Sequence, residues 1–80
     1  MGTKTRPYKQ RRVGNRLPIL RIARRWSQAE VARRMGYQTK MRYWQIENEM
    51  RLPTFKERAK LARIFGVRES EIFPLLVRAA

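Results

Sequence analysis

Wound at about 100° per residue, the stretch from Thr39 to Asn48 places Lys40, Met41, Trp44, Gln45 and Asn48 on one side of a helix and Tyr43, Ile46 and Glu47 on the other. The two sides differ in chemistry. An ammonium such as that of Lys40 donates to guanine O6 and N7, the Gln45 carboxamide matches the donor and acceptor of adenine, and Met41 or Trp44 offers surface to a thymine methyl group. Lys40, Met41, Trp44 and Gln45 are therefore the candidate base-reading set, and the ligand they fit is the major groove of duplex DNA. Turning the helix by one residue would send Trp44 inward, the more usual fate of a tryptophan, and bring Arg42 onto the reading face.

Little else in the chain is equipped for chemistry. Cysteine and histidine are absent, which removes disulfides, thiol nucleophiles, Cys/His metal sites and the usual neutral-pH acid–base group. Six glutamates are the only carboxylates, and Glu47 and Glu49, two residues apart at a helix end, project in different directions and make a poor acid–base pair or metal clamp. Ser27 and Ser70 have only lysine to activate them. Neither an enzyme nor a metal or cofactor site is expected. The charge balance points elsewhere: 20 Lys and Arg against 6 Glu give +14, the mark of a polyanionic partner, most often nucleic acid. A chain of 80 residues makes one small domain with a marginal core, to which dimerisation or ligand binding would add stability. No apolar run approaches the roughly 18 residues of a membrane span, or a signal peptide, so a soluble, cytoplasmic, nucleoid-associated protein is expected.

The elements that must position the reading face are marked by local signals. Ser27 with Glu30 forms an S-x-x-E capping box, and Trp26 and Val31 stand where a hydrophobic staple fixes the start of a helix. Val31, Ala32 and Met35 give that helix its buried stripe, and Gly36 ends it. Thr39 is the next N-cap, opening the reading helix. Upstream, Asn15 caps a first helix that carries Pro18 in its first turn. Leu17, Leu20 and Ala23 face its core side, leaving Ile19 and Ile22 either to contact a partner subunit or to be wrapped by the domain. Downstream, Thr54 and Glu57 make a second capping box, for a helix with Phe55, Ala59, Ala62 and Phe65 inward, Leu61 and Ile64 at its edges, and Lys56, Lys60 and Arg63 outward. It stops at Gly66. Val67, Ile72 and Phe73 mark a short fifth helix broken by Pro74.

A short capped helix, a turn and a second helix with a mixed polar outer face is the helix-turn-helix arrangement. The chain resembles the XRE family, the Cro and phage-repressor class of helix-turn-helix proteins, over about residues 15 to 73. The resemblance rests on the L-x-x-L-R run Leu17 to Arg21, the S-Q-A-E-V-A run Ser27 to Ala32, Gly36, the I-E-N run Ile46 to Asn48, Arg51, Pro53, and the pair Gly66 and Val67. It implies that Gln28 and Asn48 touch phosphates, that Arg21 pairs with Glu47, and that the last helix forms a dimer contact. Three positions depart from the family pattern. The turn from Gly36 to Thr39 is one residue longer, Glu49 stands where a glycine often follows Glu-Asn, and Arg58 replaces a usual core leucine.

The expectation is an all-α, compact, five-helix, lambda-repressor-like helix-turn-helix domain over residues 15–77, preceded by a flexible, disordered basic arm over residues 1–14. The arm holds Lys4, Arg6, Lys9, Arg11 and Arg12 without an acid and cannot bury itself. It either reaches into a minor groove or adds non-specific attraction only. Expected backbone contacts are Gln28, Thr39, Arg42, Asn48, Arg51, Arg11 and Arg12. Ile72, Phe73, Leu75, Leu76 and Val77 are expected to pair two chains; the alternative is that this tail folds over its own core. The function expected is sequence-specific double-stranded DNA binding by a transcriptional regulator, a repressor in the Cro manner, dimeric on an inverted-repeat operator. Two alternatives stand beside it: an RNA- or ribosome-associated basic protein, and an antitoxin-like partner of another protein.

Overall fold

Both capping boxes close. Ser27 Oγ accepts the Glu30 amide at 3.0 Å while Glu30 Oε1 accepts the Ser27 amide at 2.7 Å, and Thr54 and Glu57 repeat the arrangement at 3.1 and 2.8 Å. In the computed structural model, which describes residues 15–74 and Leu76, five helices follow in order: α1 Leu17–Ala23, α2 Gln28–Met35, α3 Met41–Glu47, α4 Phe55–Phe65 and α5 Glu69–Ile72. The described residues are all-α. The basic arm, Leu75 and Val77 lie outside them.

Four of the helices end alike. An amide two or three residues beyond the helix end returns to a carbonyl five residues back (Trp26 to Arg21, Tyr37 to Ala32, Met50 to Gln45, Val67 to Ala62), the closure in which one residue must turn left-handed. Gly36 and Gly66 fill that position in α2 and α4, at φ 89° and 69°. In α1 and α3 it falls to Arg25 and Glu49, at φ 59° and 60°. Glu49 thus adopts the left-handed turn that a glycine would give, and the Met50 amide closes on Gln45 O. A side chain in this region costs about 1–2 kcal/mol, partly offset by the greater freedom that glycine has when unfolded. Arg25→Gly should therefore stabilise the domain by about 0.5–1 kcal/mol, seen as a higher urea midpoint; an unchanged or lower midpoint would show that Arg25 is not strained.

Ten apolar side chains from all five helices and the residue after α5 form the core: Leu17, Val31, Ala32, Met35, Tyr43, Ile46, Leu61, Phe65, Ile72 and Phe73. Trp26 packs against it, its ring 5.6 Å from that of Phe65 and under the Arg34 guanidinium at 4.1 Å. The Arg16 amide donates to Ile72 O at 2.9 Å, so the end of α5 closes on the start of α1. That contact corrects the expectation for the tail: Ile72 and Phe73 are buried in their own chain and offer no surface to a second one.

Other expectations shift by a residue or a face. The residue flanking α1 is Arg16, while Asn15 Oδ1 accepts the Leu17 amide at 3.0 Å from one position further out. Ala23 is exposed. In α4 the inward stripe is Glu57, Leu61 and Phe65, so Leu61 moves from edge to core and Phe55 is left 70% exposed. Glu57, Leu61 and Phe65 stand four apart on one face, Glu57 meeting three side chains there, and Phe55, two residues before Glu57, then points out. Arg58, in place of the family's leucine, lies over the Phe55 ring and reaches Glu69 at 3.4 Å. Lys60 is also no free cation, since its ammonium donates to Met35 O, at the end of α2, at 3.0 Å.

Candidate nucleic-acid interface

The helix that carries the candidate readers is fixed at both ends by a buried carboxylate. Glu47, in its last turn, accepts Arg21 Nε on Oε1 at 2.9 Å, and Arg21 Nη2 and Gln28 Nε2 on Oε2 at 3.0 and 3.3 Å. Arg21 Nη1 also donates to Trp26 O at 3.0 Å, so one guanidinium joins α1, the turn after it and α3. Asn15 adds a further tie, its Nδ2 lying 3.3 Å from both Ile46 O and Glu47 O.

Near the start of α3 the second carboxylate collects its own set. Glu57 Oε2 accepts the Tyr37 hydroxyl at 2.6 Å and Arg42 Nε at 3.0 Å, with Arg51 Nη1 3.5 Å away, while Oε1 stays on the Thr54 amide. The Arg42 guanidinium lies over the Tyr37 ring, 5.6 Å from its centroid. Glu57 therefore binds the α2–α3 turn, α3, the loop after α3 and the start of α4 to one point. The sequence showed this glutamate only as a helix cap, and Tyr37 as part of a turn; contacts across 15 and 20 residues leave no local signal.

Both carboxylates ionise easily. Burial opposes the charge on Glu57, but Tyr37, the Thr54 amide and Arg42 outweigh it and hold its pKa at about 2 against an ordinary 4.5. Glu47 is likewise buried and, with Arg21 as the larger stabilising partner, held below the same value. The Tyr37 phenol moves up, through burial first and then its bond to Glu57, and keeps its proton. A carboxyl whose folded pKa is depressed adds stability that is present above the unfolded value and lost as pH falls through the folded one. Urea midpoints should accordingly hold from pH 7 to about 5, then fall between about pH 4.5 and 2. A midpoint unchanged at pH 3 would contradict the ionised, hydrogen-bonded state of Glu57.

With Tyr43, Ile46 and Glu47 inward, the outer face of α3 holds Lys40 exposed, Met41 at 55%, Trp44 at 37% and Gln45 half-buried. Trp44 is thus neither in the core nor fully projecting. Lys40 flanks the helix with a helical backbone, and Thr39 Oγ1 lies 3.4 Å from the Met41 amide, so α3 begins one residue later than a Thr39 cap would start it. The expected phosphate contacts divide. Thr39 is exposed, Arg42 is about half exposed beyond its bond to Glu57, and Arg51 is more enclosed. Asn48 donates to Trp44 O at 3.0 Å, and Gln28 is directed to Glu47. Arg11 and Arg12 lie outside the described residues. No helix among the described residues is long and apolar enough to cross a membrane.

The sequence matches the helix-turn-helix family model over residues 19–72, from the middle of α1 to the end of α5. No curated protein and no solved structure matches it.

Proposed function

This chain belongs to the XRE family of helix-turn-helix proteins, and on that premise we propose that it is a transcriptional regulator that reads a specific duplex sequence as a symmetric dimer on an inverted repeat. The family makes it a DNA-binding regulator of the helix-turn-helix kind. What supports the finer reading is the division of α3: one face closes the core and is tied at both ends, while the other leaves Lys40, Met41, Trp44 and Gln45 together on the outside. A rigidly held helix with a mixed donor, amide and apolar face suits a major groove.

In this reading Lys40 donates to guanine, Gln45 takes adenine, and Met41 and Trp44 pack on thymine methyl groups. Thr39, Arg42, Asn48 and Arg51, with Gln28 at the start of α2 and Arg11 and Arg12 on the arm, hold phosphates and set the register. Arg42 can do so without leaving Glu57, because only its Nε is committed there. The protein would act by occupying its operator or by recruiting, as a repressor or otherwise, with no chemistry of its own, on the nucleoid in the cytoplasm.

Gln45→Ala tests the reading role. It should weaken binding to the preferred site by about 1–3 kcal/mol, or roughly 5- to 150-fold, and leave binding to random duplex nearly unchanged. Equal losses on both in a fluorescence-anisotropy titration would remove Gln45 from the reading set.

A further inference from the structure

The expected dimer contact has lost Ile72 and Phe73 to the core, yet α1 presents an apolar surface of its own. Ile19 and Ile22 are 68% and 63% exposed. Beside Ile19 a groove of about 360 Å³ runs between α1 and α5, lined by Arg16, Ile19, Leu20, Ser70 and Glu71. Its charges are unusual for this chain. Of the two glutamates within α5, Glu69 turns to Arg58 of α4 while Glu71 lines the groove, so a carboxylate stands here in a protein of net charge +14. Arg16 is exposed and makes no ion pair among the described residues. Among the described residues Glu71 has only a 3.6 Å ion pair with Arg68, the two side chains 53% and 86% exposed, which is worth little.

Resting on the dimer reading above, we propose that the α1–α5 face is where a second copy of this chain docks, with Ile19 and Ile22 packed across a two-fold axis and Arg16 of each protomer paired with the partner's Glu71. A two-fold interface must be self-complementary, so that a cation and a carboxylate at separate points of one patch meet their opposites on the other copy. Most approaches between two copies of charge +14 are repulsive; here apolar surface, a cation with no ion pair among the described residues and a weakly held carboxylate coincide. The location also serves DNA reading. Asn15, one residue before Arg16, is bonded to the carbonyls at the end of α3, so an axis beside α1 sets the separation of the two reading helices through a short and hydrogen-bonded path.

Sedimentation of the full chain across micromolar concentrations, with wild type, Arg16→Glu, Glu71→Arg, the double reversal and Ile19→Asp, tests this. Both reversals alone should weaken dimerisation about tenfold or more, and the double reversal should return it to near the wild-type value. Ile19→Asp should give a folded monomer, with the helical circular dichroism of wild type, because the side chain it replaces is exposed within the protomer. The absence of cysteine gives a second readout: Ile19→Cys should form a disulfide-linked dimer on mild oxidation. A wild-type dimer that ignores all these changes would overturn the surface and leave the dimer reading standing. A wild type that stays monomeric in solution and binds its DNA as one copy would overturn both.

Discussion

Glu47→Ala is expected to destabilise the domain by about 3 kcal/mol, since removing one partner of a buried ion pair strands the other charge. The Arg21 side chain is 16% and the Glu47 side chain 7% exposed, so neither can recover its lost partner from water without moving. Three bonds go at once, two from Arg21 and one from Gln28. For a chain of 80 residues, whose whole stability is about 4–12 kcal/mol, this is a large share. Replacing both partners together, Arg21→Met with Glu47→Leu, should recover most of the loss, because no charge is then left buried. Urea unfolding of the three variants decides it. A loss below about 1 kcal/mol for Glu47→Ala would show that the pair is solvated and does not fix α3.

Removal of residues 1–12 should flatten the salt dependence of DNA binding by about 4–5 units of log K per unit of log salt. Lys4, Arg6, Lys9, Arg11 and Arg12 are lost, and each phosphate neutralised contributes about 0.9 to the slope. The effect is separable from sequence reading: at low salt the shortened chain should lose affinity for preferred and random duplex alike, keeping the ratio between them. An unchanged slope would mean that the arm touches no phosphate. A ratio that falls would instead place the arm at base edges, as in minor-groove readers.

What could be read from the sequence was what local rules govern. Ser27 with Glu30 and Thr54 with Glu57 started two helices where the hydrogen bonds put them, because a capping box lies within four residues. Gly36 and Gly66 ended them for the same reason. The turns at Arg25 and Glu49 have the same geometry but no glycine to announce it. The inner face of α3 followed from periodicity, since Tyr43, Ile46 and Glu47 are the stripe that the core requires. In α4 periodicity misled. Phe55 is apolar and in phase with Ala59, yet the buried face is Glu57, Leu61 and Phe65, with Glu57 meeting Tyr37, Arg42 and Arg51, residues 6 to 20 positions away. The tail misled in another way: Ile72 and Phe73 read as surplus apolar surface until the Arg16 amide bond to Ile72 O showed α5 closing on α1.

Selection of bound sequences from a random duplex pool at about 0.15 M salt, where weak electrostatic binding is already screened, tests most directly whether the outer face of α3 reads base pairs. The expected result is an enriched inverted repeat with half-sites about one helical turn apart, its conserved positions weakened by Gln45→Ala. Retention of duplex with no enriched sequence would contradict it, and would move the basic surface to the RNA- or ribosome-associated role, with the helix-turn-helix as scaffold alone.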